Sequence, residues 1–241
     1  MSKRRELIER RREQERKQTV TLLVVIGVIA VLLIGGAIAL SVAQSQSSAT
    51  PVAVATKAPP ANVEPNSRAW GPADAPIKVL EFIDYQCPAC GVQARQYEQG
   101  IIDAFAATGK VRYEVHSLTF VGPESRNAAV ASLCAMDQNR FWDMHISTFV
   151  NQSGENQGAL SAGRLREIAE KLGLDMPAYD QCVGSGKFDQ TLKDDSALAN
   201  QYGVNSTPSF VVNGKVYSGI RTADDLRRIF AELAPQIDLS Q

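Results

Sequence analysis

Between Val20 and Ala43 the run VTLLVVIGVIAVLLIGGAIALSVA is apolar apart from Thr21 and Ser41 and carries no charge. A helix of that length crosses a hydrocarbon core of roughly 30 Å, so a single transmembrane helix is expected over 20–43. The pattern then stops. Residues 44–67, QSQSSATPVAVATKAPPANVEPNS, are rich in Ser, Ala, Pro and Thr, and show neither a helical nor a strand period. They read as a flexible, extended linker.

Periodicity returns with IKVLEFI (Ile77–Ile83), a short apolar run with β-branched residues that predicts a buried strand. It leads to Cys87, and Pro88 then opens a helix, because proline's missing N–H has no partner in a first turn anyway. CGVQARQYEQGIIDAFAAT carries that helix towards Gly109, and KVRYEVHSLTF (Lys110–Phe120) alternates as the next strand. Strand, helix, strand with a crossover of this length indicates a parallel pair and an α/β fold.

The middle of the chain is helical. SRNAAVASLCAMDQNRFWDMHISTFVNQ (Ser125–Gln152) and LSAGRLREIAEKLGL (Leu160–Leu174) hold apolar residues at helical spacing, and a further helix is expected over Phe188–Tyr202. After GVNSTPS come two β-rich runs, FVVNG and KVYSG, with Asn213-Gly214 between them as a hairpin signal. TADDLRRIFAELA closes the pattern as a helix with Thr222 at its N-cap. The predicted order is βαβ, a helical insertion over about 121–188, then ββα, all within 68–241.

Charge orients these pieces. Ahead of the apolar run, SKRRELIERRREQERK holds eight Lys/Arg against four Asp/Glu, net +4. Basic flanks stay cytoplasmic, so 1–19 is read as the cytoplasmic segment and everything after Ala43 as extracytoplasmic. A cleaved signal peptide is the alternative, since Ser41-Val42-Ala43 is a tolerable cleavage site, although the apolar run exceeds the usual h-region. Either reading places the remainder where disulfides persist. Residues 68–241 hold 16 Lys/Arg against 21 Asp/Glu, net −5, which argues against nucleic-acid binding.

The candidate chemistry lies in DYQCPAC. Cys87 and Cys90 form a CxxC pair at the strand-to-helix turn. A structural zinc site needs four ligands, usually as two close pairs. The remaining cysteines, Cys134 and Cys182, are far apart, and the histidines are His116 and His145. With no second knuckle, neither metal nor cofactor is called for. A redox pair has a physical basis instead. At a helix N-cap, unpaired N–H groups and the helix dipole favour an anion, so Cys87 is expected to be the thiolate nucleophile. Cys90, one turn further in, is expected to be less exposed and to resolve the mixed disulfide. Cys134 and Cys182 are either a structural bridge, small buried hydrophobes, or a relay to the CxxC; in an exported subdomain the bridge is favoured. Asp84 reads as a solvated or capping residue, and both histidines as structural.

GPADAPIKVLEFIDYQCPAC, LCAMDQNRFWDMH and GVNSTPSFVVNGKVYSG together resemble the thioredoxin fold with an inserted helical subdomain, and more narrowly the DsbA-like thiol-disulfide oxidoreductases of bacterial envelopes. The resemblance spans Arg68 to Ala234. It implies that Glu81, otherwise an outward-facing strand residue by alternation, lies beneath Cys90 and passes a proton to or from it, burial raising its pKa. It implies a cis-proline loop at Thr207-Pro208 facing the CxxC, where the backbone pairs with an extended substrate peptide. Related proteins also frequently carry a disulfide where Cys134 and Cys182 stand. Phe141, Trp142, Met144 and Phe149 of the insert read as core residues, while the resemblance implies that the insert covers one side of a substrate groove, where some of them would be exposed.

The activity implied is disulfide exchange with exported, cysteine-bearing proteins, with oxidation favoured. A membrane quinone-linked partner of the DsbB or vitamin K epoxide reductase type is implied to reoxidise the motif. No dimerisation segment is evident, which points to a monomer. The dipeptide Pro88-Ala89 stands where strongly oxidising members have Pro-His, so a reductase or isomerase is the alternative. A non-catalytic binding or metal-carrier module of the same fold is the other.

Overall fold

The computed structural model describes residues 51–56, 64–105 and 108–237. The apolar run over 20–43, the basic segment before it, and linker residues 44–50 and 57–63 lie outside these. Among the described residues no helix is long and apolar enough to cross a membrane.

Five strands form one sheet: β1 (Ala69–Trp70), β2 (Ile77–Ile83), β3 (Val111–Ser117), β4 (Ser209–Val212) and β5 (Lys215–Tyr217), in the spatial order β1-β3-β2-β4-β5. β2 and β3 are parallel, in register from Ile77 opposite Val111 to Ile83 opposite Ser117, and the other pairs are antiparallel. β2 is hydrogen-bonded on both edges, and its apolar sequence suits a strand covered on its faces. The β4–β5 hairpin turns at Asn213 and Gly214, whose φ values of 45° and 86° suit Asn-Gly.

β1 is not foreshadowed by any periodic run. It pairs with β3, and the Trp70 ring stacks on Tyr113 at 5.1 Å. The next residue, Gly71, sits at φ +84°, and a Cβ there would lie 1.9 Å from the Val111 carbonyl oxygen. Only glycine fits so close to the neighbouring backbone.

The helix begun by Pro88 runs as α1 (Pro88–Val92), a π-helical turn (Gln93–Tyr97) and α2 (Glu98–Phe105). The expected long helix over Ser125–Gln152 is two: α3 (Pro123–Met136) and α4 (Phe141–Val150). They part at Asn139, which takes φ 60°, a left-handed conformation that ends a helix. α5 (Ala162–Lys171), α6 (Met176–Ser185) and α7 (Asp189–Tyr202) complete the insertion, and α8 (Ala223–Leu233) follows the hairpin. Thr222 and Asp225 close a reciprocal capping box at the start of α8.

Alternation along β2 divides the core. Leu80 and Phe82 join Val211, Ala199 and Val204 in a small cluster under α7. Val79 and Ile83 join the main cluster with Cys90, Tyr113, Phe105, Phe230 and the helices of the insertion.

Two described pieces of the stretch expected as a linker, residues 51–56 and 64–67, make contacts with the folded domain. Val52 is buried and packs on the main core, and Ala53 and Ala55 are hydrogen-bonded to Asn151 and Ser147 of the insertion. Glu64 pairs with Arg112. Composition predicts no structure here because the bonds at Ala53 and Ala55 are made by backbone groups, which are alike in every residue.

Candidate active site

Cys87 occupies the N-cap of α1 in an extended conformation (φ −67°, ψ 120°), with no side-chain cap of its own. The turn before it is closed by Cys87 N–H donating to the Asp84 carbonyl at 3.0 Å, and the first helical turn by Gly91 N–H donating to the Cys87 carbonyl at 3.1 Å. The two motif cysteines are thiols; Cys87 is partly exposed and Cys90 buried. Thr207-Pro208 is a cis peptide bond, and the Cys87 thiol donates to the Thr207 carbonyl oxygen at 3.2 Å.

The two sulfurs are electrostatically unequal. Cys87 is lowered to about 5, first by the hydrogen bond from the Cys90 thiol, against the opposing effect of burial, and then by the Thr207 side chain and the backbone N–H groups of Cys90 and Ala89. The helix amides singled out in the sequence therefore contribute, but after the neighbouring thiol. Cys90 is pushed far up by burial and by the adjacent Cys87 sulfur. The pair loses one proton readily and keeps the other.

Glu81 is 2 % exposed, so it does not face outward. Its Oε2 accepts the Tyr113 hydroxyl at 2.5 Å. Tyr113 is raised by burial and then by Glu81, with Glu98 and Cys90 acting on it through charge. Beyond it, the Tyr85 hydroxyl meets His145 Nδ1 at 3.0 Å, and His145 Nε2 lies 3.2 Å from Glu98. His116 sits elsewhere, on β3 against Asp195 of α7 at 2.8 Å. Arg68 holds the same Asp195 carboxylate with both its terminal nitrogens, at 2.7 and 2.8 Å.

Asp84 is neither solvated nor a helix cap. It is fully buried, and its carboxylate accepts from Gln86 N–H at 2.8 Å, the Ser125 hydroxyl at 2.6 Å and Val121 N–H at 3.2 Å. It ties the loop ahead of Cys87 to the start of α3. Gln152 is a further residue that sequence reasoning missed. Its Nε2 donates to the Tyr85 carbonyl at 2.9 Å and the Cys87 carbonyl at 2.8 Å. A glutamine just past a helix end carries no period or motif to flag it.

Cys134 and Cys182 are joined by a disulfide between α3 and α6, with Cα atoms 5.8 Å apart. Phe141, Trp142, Met144 and Phe149 are all buried, so none of them lines an open groove. An open pocket of about 260 Å³ lies instead beside the motif, walled by Ala89, Val92, Gln93, Tyr97, Pro208 and Ile220. Gln93 is buried, and its Nε2 has no acceptor among the described residues. Among those residues there is also no group of three or more His, Cys, Asp or Glu side chains that could hold a metal.

A thioredoxin-type sheet with a CxxC at a helix N-terminus, opposed by a cis-proline, defines a class, and comparison with known proteins agrees with it. The thioredoxin family profile matches residues 63–232. Disulfide bond formation protein D of Bacillus subtilis is 30% identical over 160 residues, covering 65% of this chain and 72% of that protein. The crystal structure of oxidised BdbD from Bacillus subtilis superposes with a TM-score of 0.62 at 28% identity, covering 69% of this chain and 92% of that one. Wolbachia pipientis alpha-DsbA1 shares the fold at 22% identity, with a TM-score of 0.62 over 73% of this chain and 94% of that one. The chain also aligns at 31% identity over 62% of its length with Na+/H+ antiporter NhaA 3 of Salinispora tropica, spanning only 22% of that longer protein. The chain belongs to the thioredoxin family and is a DsbA-like protein thiol-disulfide oxidoreductase.

Proposed function

We propose that this oxidoreductase works as an oxidase of exported proteins, with Cys87 as its nucleophilic and leaving sulfur and Cys90 as the resolving one. The observation that carries the reading is the separation of the two thiols, Cys87 lowered to about 5 and Cys90 far raised. A substrate thiolate attacks Cys87 of the oxidised pair, the S–S bond breaks, and Cys90 leaves as a thiolate that takes up a proton. We assign that proton to Glu81, a role supported by its burial and its bond to the Tyr113 hydroxyl. A second substrate thiolate then attacks the substrate sulfur of the mixed disulfide. Cys87 departs as a thiolate, and the substrate has lost two electrons to the CxxC. A thiolate that is stable at neutral pH is a good leaving group, which drives this direction.

The pocket beside Pro208 suits the substrate segment flanking its cysteine. Val20–Ala43 serves as a single-pass anchor in this reading. The basic N-terminus lies in the cytoplasm, the catalytic domain outside, and a quinone-linked membrane protein of the DsbB or vitamin K epoxide reductase type removes the electrons. The length of the apolar run and the net +4 ahead of it support that topology.

Pro88-Ala89 favours one second reading, a reductase or isomerase, because it lacks the histidine of strongly oxidising relatives. Equilibration with glutathione decides between them. An oxidase gives a potential well above that of thioredoxin, about −270 mV, whereas a value near thioredoxin's reverses the direction. Refolding of reduced ribonuclease is expected to be catalysed by the wild type and not by Cys87→Ser. Cys90→Ala is expected to accumulate substrates as mixed disulfides on Cys87, and a failure to trap any would point to a binding module instead.

A further inference from the structure

The segment Val52–Ala55 meets α4 in a way that resembles strand pairing. Ala53 N–H donates to Asn151 Oδ1 at 3.0 Å, and Asn151 Nδ2 donates back to the Ala53 carbonyl at 2.6 Å. Two residues on, Ala55 N–H donates to Ser147 Oγ at 3.0 Å, and that hydroxyl donates to the Ala55 carbonyl, also at 3.0 Å. Alternate residues of an extended chain present N–H and C=O to the same side about 6.6 Å apart, and residues four apart on a helix are about 6 Å apart. Ser147 and Asn151 thus supply the edge of a missing strand. Lys171 Nζ adds a donor to the Val52 carbonyl at 2.8 Å, and Val52 itself is buried.

The residue after Asn151 is Gln152, which bridges the Tyr85 and Cys87 carbonyls. Its amide is enclosed from the far side as well. Arg95 Nη1 lies 3.5 Å from Gln152 Oε1 and donates to the Phe149 carbonyl at 2.6 Å, while a Cβ on Gly91 would come 2.1 Å from Gln152 Oε1. Asn151 has no freedom to yield. Its remaining amide hydrogen goes to the Ser147 carbonyl at 2.7 Å, and its own N–H to the last turn of α4.

We propose that Gln152 is a positioning residue for the redox turn and that the docked Val52–Ala55 strap is what holds it in place, so that a segment remote in sequence sets the reactivity of Cys87. Gln152 staples the carbonyls of residues 85 and 87, which keeps Cys87 at the N-cap with its sulfur over the N–H groups of Ala89 and Cys90. The strap fixes Asn151, and the backbone passes that constraint to its neighbour. The inference rests on Cys87 being the ionised sulfur, as proposed above.

The test is titration of the reduced full-length protein by thiolate absorbance, with thermal unfolding in parallel. Gln152→Met keeps the side-chain volume and loses both bonds, and is expected to raise the Cys87 midpoint by about half to one pH unit. Ala53→Pro removes the N–H that Asn151 accepts, and Val52→Asp ejects the strap; both are expected to shift the midpoint in the same direction by less. If the strap variants lower the unfolding temperature but leave the midpoint at its wild-type value, the strap is merely structural and the coupling is overturned. An unchanged midpoint in Gln152→Met overturns the staple. A wild-type midpoint at an ordinary thiol value instead defeats the assignment of Cys87, a result distinguishable from either.

Discussion

Cys87 takes its largest stabilisation from Cys90 and smaller contributions from Thr207 and two helix amides. Removing the Cys90 thiol therefore does more than remove the resolving group. In Cys90→Ala the Cys87 midpoint, about 5 in the wild type, is expected to rise towards the usual cysteine range, while Cys90→Ser, which keeps a donor, should move it less. Alkylation rate against pH measures both. Asp84 makes a second argument at this scale. Its carboxylate satisfies two backbone donors and the Ser125 hydroxyl in a fully buried site, so Asp84→Ala leaves three donors without an acceptor. A loss of about 2–4 kcal/mol is expected in urea unfolding. The sequence showed Cys87 and Cys90 through their spacing, but Asp84 and Gln152 act through contacts with residues 30 to 70 positions away, which no local pattern encodes.

At the level of elements, the disulfide joins α3 to α6 across 48 residues of chain. Closing a loop of that length restricts the unfolded chain by about 4 kcal/mol on the chain-entropy argument. Replacing both Cys134 and Cys182 by serine should remove most of that in denaturant unfolding while leaving the Cys87 midpoint in place; a shifted midpoint would favour a relay between the two pairs. The elements with a strong period were legible: β2, β3, the β4–β5 hairpin and α8 all lie where alternation, Asn-Gly or an N-cap threonine put them. Those without one were not. β1 is two residues long, too short to show a period, and the 52–55 strap is bonded through its main chain. The division of Ser125–Gln152 into two helices turns on one residue, Asn139, whose left-handed backbone leaves the helical spacing of its neighbours intact.

Across the described residues, the order of elements was enough to place the CxxC after a buried strand that opens a βαβ unit, and the sheet order makes that strand the central one. The electrostatics of that site also bear on stability. The folded value of Cys87, about 5, lies below the roughly 8.5 of an unfolded cysteine, so the unfolded reduced chain binds more protons between those values. Stability from the thiolate is fully present above the unfolded value and is lost as pH falls through 5. The reduced protein, relative to Cys87→Ser, should therefore gain in urea midpoint from pH 4 to pH 8, a trend opposite to that of a protein stabilised by a buried cationic histidine.

The alternation along β2 joins two requirements that are usually separate. Were that strand to slip by one position against its neighbours, Phe82 would turn towards Tyr113 and the carboxylate of Glu81 would enter the apolar cluster beneath α7. A mispaired copy is thus poorly packed and, on the role proposed for Glu81, also stripped of its acid, so partly functional misfolded forms have little room to exist. Sheet registry acts as the proofreader of the chemistry.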